Sequence, residues 1–95
     1  MSYFAFIYHY DPTNDEIAAT RPQHREFIAS LNKKGQILGS GPFTEGNGGA
    51  LIVLSLGDTA TLDDATAIMN ADPFYEQGLV DKREVHAWNP VIGTI

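Results

Sequence analysis

Ninety-five residues, 43% of them hydrophobic, suffice for one domain with its own core and are too few for two. A formal charge of −6, from 12 acidic against 6 basic residues, argues against nucleic-acid and anionic-membrane partners, and no basic run interleaved with aromatics offsets it. The absence of cysteine removes a disulfide framework, a thiolate nucleophile and a zinc–thiolate site.

In chain order, Tyr3 to Tyr10 is aromatic and β-prone, bounded by Asp11-Pro12, and reads as a strand. It has no basic leader, apolar helical stretch or small-residue cleavage site, so it is not read as a signal peptide and a cytoplasmic protein is expected. Asp11 to Thr20 reads as a polar connection. A helix is expected from Pro22, near its first position, to Lys34, with Gly35 as its stop. Gln36 to Phe43 is a short strand, Thr44 to Gly49 a glycine-rich turn, and Ala50 to Leu56 a strongly apolar strand. Thr61 with Asp64 forms a capping-box pattern ahead of a helix whose stripe is Leu62, Ala65, Ile68 and Met69. Asp72-Pro73 opens a short helical turn that stops at Gly78, and Lys82 to Trp88 is the last strand. The order βαββαβ predicts an α+β, ferredoxin-like fold: a four-stranded antiparallel sheet with its helices on one face, in a single domain over 1–95.

The helix-free face of such a sheet should alternate into polar residues, and here it does not. Phe4, Phe6, Tyr8 and Tyr10 share one side of the first strand and Tyr3, Ala5 and Ile7 the other, while Ala50 to Leu56 is apolar on both sides. Soluble monomers rarely expose so large an apolar patch, which predicts a homodimer with two sheets face to face, here with Phe6 and Leu54 expected at the interface.

His24 falls in register with Ile28 and Leu31 on the inward face of the first helix, expected in its first turn, with Arg21 one turn earlier. A titratable ring entering an apolar stripe needs a hydrogen-bond partner, a ligand or a pocket, and the segment Asp72-Pro73-Phe74-Tyr75 offers one partner.

Arg21-Pro22-x-His24, Gly35-x-x-Leu38-x-Ser40-Gly41-Pro42, Ala71-Asp72-Pro73-Phe74, Gly78-Leu79 and Trp88 together resemble the YCII-related family of dimeric α+β barrel proteins, fold relatives of muconolactone isomerase. The resemblance implies a ferredoxin-like subunit, a homodimer or higher assembly, and a histidine–aspartate pair falling on His24 and Asp72. Members similar to chloromuconolactone dehalogenases suggest lactone chemistry without a cofactor. The chain departs from the pattern at Ser40, where a small apolar residue is common.

A histidine paired with a buried carboxylate is a proton shuttle, because the carboxylate sets the tautomer and stabilises the imidazolium. The function expected is a small cofactor-independent enzyme of lyase, isomerase or dehalogenase type, acting through His24 and Asp72 on a carbonyl- or lactone-containing compound. The alternative is a non-catalytic dimer that binds a small molecule. Each residue also has a structural reading: His24 a helix-start residue bonded to a carbonyl, Asp72 an N-cap, Arg21 a solvated arginine, Ser40 a strand-end hydroxyl. On the functional reading Arg21 and Ser40 anchor the ligand, while Tyr8, Phe74 and Trp88 line the cavity or simply fill the core. His9 and His86 lack the His-x-His or Glu-x-x-His spacing of a metal centre, so no metal site is expected.

Overall fold

A computed structural model describes residues 1–93. Its elements are β1 (Ser2–His9), α1 (Asp15–Lys33), β2 (Ile37–Pro42), β3 (Ala50–Leu56), α2 (Leu62–Met69), α3 (Pro73–Glu76) and β4 (Lys82–Trp88). The strands form one antiparallel sheet in the order β2-β3-β1-β4, the ferredoxin-like arrangement. The two central strands are therefore the first and third in sequence, the most apolar segments of the chain.

Register sorts the side chains of these strands. Phe4, Phe6 and Tyr8 of β1 share a face with Leu54, Ile52 and Ala50 of β3, and all six are buried beneath the helices. The opposite face carries Tyr3, Ala5 and Ile7 beside Ser55, Val53 and Leu51, with Glu84, His86 and Trp88 of β4 alongside. Phe6 and Leu54 thus belong to the helix-covered core and not to the outer face where they were expected. Alternation along a strand separates two faces but carries no label for the one the helices cover.

Helix α1 also departs from expectation: it starts two turns early, and Pro22 lies inside it. His24 consequently sits in mid-helix. Asn14 caps the helix by accepting from the Glu16 amide at 3.0 Å, and Asp15 and Glu16 place negative charge in the first turn. The early turns carry Ile17 and Thr20, both buried, so the core stripe runs Ile17, Thr20, His24, Leu31. An interior proline costs about 3 kcal/mol through its missing N–H and ring clash. Burying an isoleucine contributes about 1.5–3 kcal/mol and an N-cap about 1, which offsets that penalty.

The other end of α1 follows expectation. Gly35 takes φ +74° and the Gln36 amide returns to the Leu31 carbonyl at 3.0 Å, closing the helix and turning the chain into β2. The capping box of α2 is complete, with Asp64 N to Thr61 Oγ1 at 3.2 Å and Thr61 N to Asp64 Oδ2 at 2.9 Å. Leu31 is buried on the stripe whereas Lys33 is exposed. Leu31→Ala should cost about 2–5 kcal/mol in urea unfolding through lost contacts and a residual cavity. Lys33→Ala should change stability by less than about 0.5 kcal/mol. Equal small effects would mean that the stripe faces elsewhere.

Candidate active site

The site begins with the short turn that opens α3. Pro73 at the first helical position lacks an N–H to satisfy, and Asp72 caps the next free amide, accepting from Phe74 N through Oδ1 at 3.1 Å. The cap alone leaves most of the carboxylate's acceptor capacity unused, and Asp72 is fully buried. His24 of α1 supplies one partner, with Nδ1 at 2.8 Å from Oδ1 and 3.0 Å from Oδ2. Tyr8 of β1 supplies another, its hydroxyl donating to Oδ2 at 2.8 Å. One carboxylate thus gathers donors from three elements, a backbone amide, an imidazole and a phenol.

A carboxylate accepts and does not donate, so the Nδ1 facing it carries the proton in this tautomer. Phe74 stacks flat on the imidazole, ring centres 4.2 Å apart and planes 7° from parallel, and Tyr10 packs on Phe74 at 5.5 Å. The ring is thereby fixed in orientation, and Nε2 is left for whatever occupies the cleft outside.

That cleft, of about 430 Å³, lies between α1 and β2. One wall is a single helix face, on which Arg21, Arg25, Ile28 and Asn32 follow one another at intervals of three or four residues with His24 beside Arg25. The other wall is β2 from Ile37 to Pro42, including Ser40, and Phe74 and Tyr10 close the end beside His24.

Of the residues named from sequence, His24, Arg21, Ser40 and Phe74 meet at this cleft, with Asp72 directly behind His24. Tyr8 does not line it. Its ring is wholly buried behind Asp72, because β1 places it on the core face opposite Ala50. Trp88 lies on the outer sheet face, in edge contact with Tyr3 at 6.5 Å. Sequence reasoning passed over Tyr10, Arg25 and Asn32, although Arg25 and Asn32 share the helical phase of Arg21 and Ile28 and could have been read from it.

Behind Tyr8 lies Arg83 of β4, its pair across the strands. The guanidinium sits 3.6 Å from the centre of the Tyr75 ring and donates from Nη2 to Asn70 Oδ1 at 2.8 Å. His9 and His86 are on the outer face beside Glu84, at 2.7 and 4.0 Å, so the sheet separates them from His24. The His9 hydrogen bond holds the Glu84 carboxyl below its usual range.

Burial pushes the Tyr8 phenol well above the usual tyrosine range, and the Asp72 charge and hydrogen bond push it further against an opposing pull from Arg83. Burial also raises the Tyr10 phenol, with Arg21 working against it. A group whose pKa is higher folded than unfolded contributes stability that is full below the unfolded value, about 10 for tyrosine, and is lost as pH rises beyond it. Urea unfolding above pH about 10 should therefore show stability falling more steeply for the wild type than for Tyr8→Phe, with Tyr10 preserving part of the slope. Identical slopes would place Tyr8 in water.

Among curated proteins, none matches this sequence. Among solved structures, the fold is similar to that of 5-chloro-2-hydroxyhydroquinone dehydrochlorinase (TftG) from Burkholderia phenoliruptrix AC1100, determined in complex with 2,5-dihydroxybenzoquinone. The TM-score is 0.76 at 18% identity, over 92% of this chain and 93% of that one, which establishes a shared fold. The family model described as the YCII-related domain matches residues 1–89, nearly the whole chain. The His24–Asp72 arrangement thus stands on a ferredoxin-like chain that belongs to the YCII-related family.

Proposed function

We propose that this protein is a cofactor-independent enzyme in which His24 moves a proton on a small carbonyl- or lactone-containing compound. The observation that carries the reading is the 2.8 Å contact between His24 Nδ1 and the fully buried Asp72, with the ring in the wall of a cleft. With Nδ1–H held by Asp72, Nε2 is the basic nitrogen that takes a proton from a carbon beside a carbonyl. Asp72 then stabilises the imidazolium. The electron pair left behind forms an enolate, which regains the proton at another carbon or expels a leaving group from the neighbouring one. The first outcome is isomerisation and the second elimination. The solved relative of the same fold is a dehydrochlorinase, which supports the second class. An imidazole carrying a proton needs neither metal nor organic cofactor for this step.

The working unit in this proposal is a homodimer through the outer sheet face. An apolar groove of about 510 Å³ crosses that face between Leu51, Val53, Trp88 and β2. Its floor, Leu38 to Pro42, is also a wall of the His24 cleft, so a second copy seated there packs directly against the site. The face carries both signs of charge, Lys82 beside Glu84, so a two-fold pairing can set unlike charges against each other.

The test is exchange of carbon-bound hydrogen in D2O, followed by NMR, across a panel of butenolides, dienoic acids and hydroxyquinones. Wild type should catalyse exchange or release of the leaving group on at least one compound. His24→Gln, which still donates to Asp72, should be slower by about 10²–10⁴-fold. Equal rates in the two proteins would remove His24 from the chemistry. Saturable binding with no exchange on any compound would leave a binding dimer in place of the enzyme.

A further inference from the structure

The chain has twice as many acidic as basic residues, yet among the described residues no carboxylate lines the cleft outside His24. Two of its three arginines do. Arg21 and Arg25 stand one helical turn apart on the wall that carries His24, and like charges at that spacing repel. Neither is ion-paired among the described residues, although acidic side chains abound elsewhere on the surface. Arg21 also works against the burial that raises the Tyr10 phenol, and Tyr10 packs on the Phe74 ring that stacks on His24 at that end of the cleft.

We propose that the cleft takes a small organic anion, a carboxylate or an ionised enol or phenol, gripped by Arg21 and Arg25 while its reacting carbon meets His24. The inference rests on the reading of the cleft as the place where a ligand meets His24, and adds the charge class of that ligand. Guanidinium groups present planar forks of donors that match two acceptor oxygens, and they stay charged at every relevant pH. An acidic group bound between them relieves their mutual repulsion and fixes which carbon of the ligand reaches Nε2. The volume, about 430 Å³, is at the lower end of small-molecule sites and suits a molecule of about one ring. Ile28, Ile37 and Pro42 supply the apolar contact for the body of such a ligand.

The test uses two probes of one shape, benzoate and benzamide, titrated into the isotope-labelled protein and followed by NMR at the His24 ring and the Phe74 amide. Benzoate should bind saturably and move both signals, with benzamide weaker by about tenfold or more, as expected where an ionic hydrogen-bonded contact is lost. Arg21→Gln and Arg25→Gln should each weaken benzoate several-fold while leaving benzamide unchanged. Arg25→Lys should recover part of the loss. Arg25 is exposed, so its variants fold whether or not they bind. Raising salt from about 0.05 M to about 0.5 M should weaken benzoate alone. Benzoate and benzamide binding alike, or glutamine variants at wild-type affinity, would overturn the anion assignment while the shifts at His24 uphold the cleft as a ligand site. If neither probe moves His24 or Phe74, the anion assignment and the cleft reading fall together.

Discussion

Asp72→Ala is expected to lower folding stability by about 3–5 kcal/mol, the cost of leaving several buried donors without their shared acceptor. Three donors depend on this carboxylate: His24 Nδ1 at 2.8 Å, the Tyr8 hydroxyl at 2.8 Å and the Phe74 amide at 3.1 Å. Asp72 and the Tyr8 ring are fully buried, so the Tyr8 hydroxyl regains no partner when the side chain is truncated. Loss of the N-cap adds about 1 kcal/mol within that total. Asp72→Asn separates charge from shape. Its carbonyl oxygen still accepts, but its amide nitrogen confronts a donor where an acceptor was, so the loss should fall between wild type and alanine. Urea unfolding of the three proteins at pH 7 measures both effects. An alanine variant within about 1 kcal/mol of wild type would show that the donors find other partners, and the buried network would lose its structural role.

Leu51→Asp is expected to convert the proposed homodimer into a folded monomer. Leu51 is 37% exposed within one subunit, so a carboxylate there stays hydrated as long as the face is open. Covering the face with a second copy buries that charge, and an isologous interface presents each substitution twice. Burying an unpaired charge costs several kcal/mol, enough to abolish association at micromolar concentration. Sedimentation should give twice the subunit mass for wild type and the subunit mass for the variant, with matching far-ultraviolet circular dichroism. A monomeric wild type would sink the dimer. So would a dimeric Leu51→Asp, which would move the interface elsewhere. Phe6→Asp or Leu54→Asp gives no such test, because both side chains lie in the helix-covered core and either change unfolds the subunit.

Those two core positions mark the boundary between what the chain declares locally and what it leaves to folding. Signals that act within a turn or two were legible in the sequence: the Thr61–Asp64 capping box, the Gly35 stop, the Asp72-Pro73 start of α3, and the β-prone apolar runs of β1 and β3. Each rests on hydrogen bonds or sterics among neighbours in the chain, which need no tertiary partner. The ferredoxin-like order followed from them, since few topologies accommodate βαββαβ. The start of α1 was not legible. Pro22 is a strong local signal for a beginning, and it was overruled by burial of Ile17 and Thr20 against a core that exists only after folding. His24 and Asp72 could be named as partners because each is a polar group brought to an apolar surface. Tyr8 was misplaced, since only the pairing of β1 with β3 turns its hydroxyl toward a carboxylate 64 residues away in sequence. Arg25, Asn32 and Tyr10 became cleft residues when β2 packed beside α1, and their chemistry there depends on that packing. Local propensity determined the elements of this protein. Long-range burial decided where α1 begins, which sheet face is core, and which side chains surround the histidine.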